Sequence, residues 1–363
     1  MIPPKNDFVV IGDTHFFDKN FNLEYFENQM KFYENQLFPY MEANNIKYIL
    51  QTGDLFDNRS TINIHLFNLF IDRFCRVLVD KGFVLITFLG NHDIVFKNTL
   101  EFNMVKYLQE LFPSNIRVIQ EDSIIGINNY KVGIVPWVTP NRSIDTILLE
   151  TTDYIFGHFE LYGYMHSKNA VDDKSEMKAD IFKNQIKVFS GHYHLNHSKG
   201  KVHYVGTPYQ ADFGEFGNNV GFYHFKDDFS YSFCPNTVSV KYIKMVYDDT
   251  HSTEEPLKMY TDDETFLYVT LDALKATKDI EVRFSIDNSF DASYEAYLLV
   301  LKENNIKYTF VNNQETNALI GSGVTLDVSK LRTTEHFIVD YIEEYNAELL
   351  ELTKQILKEV QDG

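Results

Sequence analysis

Five times along this chain a short apolar run ends in glycine, and a side chain able to bind a metal follows at once. The instances are Gly12-Asp13-Thr14-His15, Gly53-Asp54, Gly90-Asn91-His92-Asp93, Gly157-His158 and Gly191-His192-Tyr193-His194. Runs of Val, Ile, Phe and Leu bounded by turn residues read as buried strands. In open α/β sheets, ligands gather beyond the carboxyl ends of strands, so termini far apart in sequence can converge on one crevice. Glycine is expected to let each of these turns bend tightly. Taken singly, each piece has an ordinary use: Asp or Asn after a strand caps a turn, and a lone His sits on the surface or in a satisfied core. Seven donors arriving in the same context, Asp13, His15, Asp54, Asn91, His158, His192 and His194, are far harder to explain as turns.

This donor set combines imidazoles, carboxylates and one amide oxygen without a thiolate, which excludes a thiolate-rich structural zinc site. It suits Mn2+ or Fe2+ and permits Zn2+; Mg2+ is the further alternative. Two divalent ions are needed to use all seven donors. The central Asp54 is the candidate for sharing between them.

The fold class expected from the rest of the chain is α/β. Further strands are predicted over 47–51, 83–89, 116–120, 123–127, 130–135, 153–156 and 186–189, after a first one at Phe8–Ile11. Amphipathic stretches over 22–44 and 62–80 are long enough to cross back over a sheet. From 201 to 247 short alternating runs replace helices and predict antiparallel strands. A polar stretch over 248–255, followed by Pro256, reads as a linker. The expected organisation is a catalytic domain over 1–247, a small α+β domain over 256–330 that carries no assignable chemistry, and a helix over 334–360. In that helix Ile338, Ile342, Tyr345, Leu349, Leu352 and Ile356 step by four and three, fitting either a partner-docking helix or one packed on its own domain.

Composition sets the outer bounds. With 44% hydrophobic and 23% charged residues among 363, the chain has the make-up of a folded protein with a sizeable core. Its two cysteines, Cys75 and Cys234, form no CxxC or disulfide pattern and suit a reduced intracellular setting. The first apolar run is too short for a secretory segment, and no stretch approaches the roughly 18 apolar residues of a membrane span. The expected location is therefore the cytoplasm. A formal charge of −19 argues against holding nucleic acid on a broad basic surface.

The motif order D-x-H, G-D-x-x-D, G-N-H-D, G-H and G-H-x-H resembles the calcineurin-like metallophosphoesterase superfamily over about the first 195 residues. That resemblance implies one metal held by Asp13, His15, Asp54 and His194, and a second by Asp54, Asn91, His158 and His192. Gly53-Asp54-Leu55-Phe56-Asp57, Gly157-His158-Phe159-Glu160-Leu161 and Tyr204-Val205-Gly206-Thr207-Pro208 look like the SbcD-type nuclease branch, especially its tailed-phage recombination counterparts. The implied architecture is a two-sheet sandwich flanked by helices, with a small cap domain and a C-terminal helix for an ATPase partner. The implied activity is two-metal hydrolysis of DNA phosphodiester bonds, exonucleolytic or endonucleolytic, within a recombination or break-repair complex. The implied partners are DNA, an SbcC-type coiled-coil ATPase and a second copy of the chain; the apolar faces of 62–80 or 99–111 are candidates for the dimer contact, with ordinary core packing as their alternative and more common use. Two cations would supply +4 in the cleft and the partner the remaining affinity, so the isolated chain is expected to bind DNA weakly.

His92, next to the ligand Asn91 without being forced to coordinate, is the expected general acid, with Asp57 as its partner. Many members of that branch have His where this chain has Asp57, so no histidine is assigned to orienting the phosphate. A protein phosphatase or small phosphodiesterase would share the ligands, but protein phosphatases of the superfamily have Arg-Gly after that Asp, and here Asn58, Arg59 and Ser60 follow. A noncatalytic scaffold of the same fold is the alternative of another class; it would be expected to have lost ligands.

Overall fold

In a computed structural model of the chain, the described residues are 2–17, 21–168, 170–248, 257–260, 266–277, 280–286 and 294–312. The strands in chain order are β1 (Phe8–Ile11), β2 (Tyr48–Gln51), β3 (Val84–Phe88), β4 (Ile116–Ile119), β5 (Ser123–Ile127), β6 (Tyr130–Val135), β7 (Tyr154–His158), a short pair β8 (Met165–Ser167) and β9 (Ala170–Val171), β10 (Lys187–Gly191), β11 (His197–Lys199), β12 (Val202–Tyr204), β13 (Gly221–Phe225) and β14 (Tyr231–Pro235). They build two six-stranded sheets, ordered β14-β13-β1-β2-β3-β4 and β11-β12-β10-β7-β6-β5. Strands β1 to β4 run parallel, as do β6, β7, β10 and β12; β13, β14, β5 and β11 are antiparallel additions.

The period-2 alternation of a strand sorts the core into layers. On β1, Phe8 and Val10 join Leu50, Ile86, Phe156, Phe189 and Phe225 between the two sheets, where both inner faces meet. Val9 and Ile11 point the other way, into a larger cluster with Phe26, Tyr33, Phe38, Phe70 and Phe74 from the flanking helices. A third cluster on the outer face of the second sheet gathers Val135, Ile155, Val188, Val202 and Leu148. The result is the expected α/β arrangement, a helix layer, two sheets and a further helical layer.

Both long helices form where the apolar period places them. The first runs through Leu23–Phe32, a π turn at Tyr33–Leu37 and Phe38–Ala43; Asn22 caps its start by accepting from the Glu24 amide at 2.9 Å. The second runs through Ile64–Phe70, a π turn at Ile71–Cys75 and Arg76–Lys81, capped by Asn63 and ended by Gly82 in the left-handed conformation. Each carries the chain from one parallel strand to the next.

Five strands make a smaller sheet among the described residues: β15 (Lys241–Tyr247), β16 (Leu257–Tyr260), β17 (Phe266–Val269), β18 (Ile280–Ile286) and β19 (Lys307–Asn312), ordered β17-β16-β15-β18-β19. Its central strand β15 precedes the 248–255 stretch. Helices Leu271–Ala276 and Tyr294–Glu303 accompany it. The predicted helix over 334–360 lies outside the described residues. Among the described residues no helix is long and apolar enough to cross a membrane.

Candidate metal centre

All five glycine-ended runs are strands, and their carboxyl ends open on the same crevice. Asp13 follows β1, Asp54 follows β2, Asn91 follows β3, His158 ends β7 and His192 follows β10. Three come from one sheet and two from the other, so the crevice spans the top of the sandwich.

The glycines work differently from the sequence expectation. Only Gly53 has positive φ, at +91°; the others are needed for room. A Cβ on Gly90 would lie 2.1 Å from Asp54 Oδ1, and one on Gly191 would lie 2.4 Å from Asp13 Oδ1. Strain sits on the donors themselves: His15, Asp54 and His192 have φ of 43°, 53° and 84°. Left-handed backbone at non-glycine residues costs on the order of 1–3 kcal/mol each and concentrates at functional sites.

Two groups of side chains result. Asp13, His15 and His194 bring ligand atoms within 4.8 Å of one another, and so do Asp54, His158 and His192; His15, Asp57 and His92 form a third such set. Asp54 connects the first two, with Oδ2 3.8 Å from His15 Nε2 and 3.3 Å from His158 Nε2. Asn91 Oδ1 lies 3.0 Å from His158 Nε2 and 2.9 Å from His192 Nδ1.

The hydrogen-bonding pattern tests whether cations fit. His158 Nδ1 donates to the Thr52 carbonyl oxygen at 2.8 Å, which turns the Nε2 lone pair toward the Asp54 carboxylate and the Asn91 oxygen. His194 Nδ1 is bonded to the Glu215 carboxylate, His15 Nδ1 lies 3.3 Å from an Asp57 carboxylate oxygen without a hydrogen bond, and the Nε2 atoms of the two rings face each other at 3.0 Å. Acceptors meeting acceptors need a positive charge between them. Asp13 Oδ1 is buried with no hydrogen-bond partner. Imidazoles anchored through one nitrogen, with the other presented, are the usual form of metal-binding histidine. The donors fit divalent ions.

With protons alone to share, the site is electrostatically tense. Burial pulls His158 and His194 down, but Asp54 and Asp13 beside the first and Glu215 beside the second push both up to about 9. Burial and the charge of His158 drag His192 down to about 3. Burial raises the Asp13 carboxyl, whereas the imidazoles around Asp54, His158 first, overcome its burial and hold it well below the usual carboxylate range.

His92 occupies the rim. Its amide donates to Asp54 Oδ1 at 2.7 Å, its Nδ1 lies 2.8 Å from the Asp57 carbonyl oxygen and 3.4 Å from the Asp57 carboxylate, and its ring meets His15 edge-on. Burial opposes its charge, but bonding to Asp57 and the charge of Asp54 outweigh that and raise its pKa. Asp57 serves two imidazoles at once, His92 and His15.

Two positions escaped sequence reasoning. Asp93, inside the Gly90-Asn91-His92-Asp93 motif but given no role, is buried and accepts from the amides of Gly90, Leu55 and Phe56 at 2.9, 2.9 and 3.2 Å. It ties the β2 loop to the β3 loop. Glu215, 21 residues beyond His194, has no local motif to betray it.

Residues 7–223 match the family model described as Calcineurin-like phosphoesterase. The chain is 28% identical over 209 residues to exonuclease subunit 1 of Enterobacteria phage T4; the match covers 56% of this chain and 60% of that protein, so less than two thirds of that relative is spanned. It is 27% identical over 223 residues to a protein of Invertebrate iridescent virus 6 named as a phosphoesterase, 244L, covering 58% of this chain and 72% of that one.

Proposed function

This chain belongs to the calcineurin-like phosphoesterase family, and from that premise we propose that it is a two-metal DNA nuclease acting as the nuclease subunit of a recombination or break-repair complex. The observation that carries the metal chemistry is the set of opposed acceptors, His158 against Asp54 and His15 against His194, at the convergent ends of five strands. The likeness to a phage exonuclease subunit supports DNA as substrate and a complex as the working form. An SbcC-type coiled-coil ATPase, a second copy of the chain and a cytoplasmic setting belong to the same reading, as does a division into 1–247, 256–330 and 334–360.

Asp13, His15, Asp54 and His194 would hold one ion, and Asp54, Asn91, His158 and His192 the other; Mn2+ is the ion we favour. Bound there, two divalent cations would polarise a phosphodiester and acidify a water for attack. The protein's own task is then to place the phosphorus, hold the nucleophile in line and return a proton to the leaving alkoxide. His92 is set for the last. Its Nδ1 is taken by Asp57, so Nε2 carries the transferable proton, and Asp57 stabilises the protonated ring.

Cleavage of linear and hairpin DNA against dephosphorylation of phosphopeptides, both in Mn2+, tests the substrate. DNA cleavage with inert phosphopeptides is expected; the reverse result makes the chain a phosphatase, and absence of bound metal in the purified protein makes it a scaffold.

A further inference from the structure

We propose that Glu215 is a positioning residue for the metal held through His194, and that the small sheet keeps Glu215 in place. The proposal rests on the two-metal reading of the site. Glu215 is buried, yet it belongs to no sequence motif and is not among the ligand atoms that gather at Asp13, His15 and His194. One carboxylate oxygen holds His194 Nδ1. The other accepts from the Ala211 amide at 2.8 Å and from the Thr207 hydroxyl at 3.3 Å. A carboxylate fixed on one side can fix the imidazole on the other. It sets the ring's tautomer and rotation, so that Nε2 faces Asp13 and His15 rather than solvent. It also raises the basicity of that nitrogen toward a cation. His194 needs this support because its side chain is 34% exposed, whereas its counterpart His158 is fully buried and anchored by a backbone carbonyl.

The turn carrying Glu215 is wired to the smaller sheet. Gln210 accepts from the Tyr242 amide at 2.9 Å and donates to the Glu215 carbonyl oxygen at 3.0 Å. The Tyr242 hydroxyl donates to the Ala211 carbonyl oxygen at 3.0 Å, and its ring meets Phe213 at 4.7 Å. The Arg283 guanidinium of β18 lies over the Phe213 ring, 4.7 Å from its centre. A residue at the start of β15 and one on β18 therefore grip the turn whose far end orients His194.

The test is metal binding, read without substrate. Calorimetry and electron paramagnetic resonance of the full chain titrated with Mn2+ are expected to show two ions with mutual magnetic coupling. Glu215→Gln should weaken one ion by about 10- to 100-fold, the range for removal of such a supporting group, and leave the uncoupled spectrum of a single ion. Glu215→Asp, which restores the charge one methylene short, should recover part of that loss, and Arg283→Ala should weaken the same ion several-fold. Two coupled ions of parental affinity in Glu215→Gln would overturn the inference, as would equal losses in the Gln and Asp variants, which mark a packing role. If Glu215→Gln does not fold, Arg283→Ala decides: parental binding of both ions overturns the inference. Failure of the parent itself to bind two ions instead sinks the two-metal reading.

Discussion

His92 and Asp13 lie in the same crevice but should fail in different ways. His92→Asn is expected to keep both metals and to lose about 100-fold or more in DNA cleavage, the usual contribution of a general acid. Asp13→Ala removes a buried carboxylate oxygen that has no other partner, so metal content and cleavage should fall together. Elemental analysis beside a cleavage assay separates the two; near-parental cleavage by His92→Asn would remove it as the acid. A third residue gives a pH signature away from the metals. Burial, helped by the positive charges of Lys187 and His197, lowers the His203 imidazole to about 4. An unfolded chain protonates this group near ~6.5. Between those values the unfolded state binds the extra proton, so this group's contribution to stability is full above about 6.5 and falls as pH drops toward 4, by at most about 3 kcal/mol. Urea midpoints from pH 7 to 4 should decline less steeply in His203→Leu than in the parent; equal slopes would dissociate His203 from acid lability.

At the level of elements, the aromatic layer beneath the helices supports the crevice. Phe74, on the second helix, is fully buried and packs on Phe16, Tyr33, Phe38 and Phe70 with ring centres 5.0 to 5.9 Å away. Phe16 directly follows His15, and its amide donates to the Leu55 carbonyl oxygen at 2.8 Å, which binds the β1 loop to the β2 loop. Phe74→Ala should therefore cost about 3–5 kcal/mol and lower metal affinity as the two loops loosen. Thermal melting with and without Mn2+ checks both; an unchanged shift on adding metal would confine the effect to stability. The supports for this layer were legible in part. Helical periodicity placed both helices within two residues of their ends, but the π turns at Tyr33–Leu37 and Ile71–Cys75 were not foreseen. Periodicity reports which face is apolar, and a single widened turn shifts that face too little to show.

For the whole molecule, the charge of −19 and the crevice point in opposite directions. A protein with this balance neutralises few phosphates, so the isolated chain should bind DNA weakly and with a shallow dependence on salt. Most of that affinity should vanish on chelation of divalent ions. Fluorescence anisotropy with a labelled duplex in Mn2+ and then EDTA measures this; binding that survives EDTA would mean the protein surface, not the metal centre, holds DNA.

Much of the fold was legible in the chain because buried strands and capped helices are local matters. The apolar runs at Phe8–Ile11, Tyr48–Gln51 and Val84–Phe88 and the caps at Asn22 and Asn63 involve residues a few positions apart. The residue types for metal chemistry were equally plain, since carboxylate and imidazole are properties of single side chains. What only the tertiary structure decided is how these groups face one another. Glycines 90 and 191 make room for carboxylates that come from other strands. Asp93 clamps a loop 37 residues upstream, and Glu215 reaches back to His194 across a turn held by a different sheet. Orientation of this kind is set by contacts between distant segments, and those contacts exist only once the two sheets have packed.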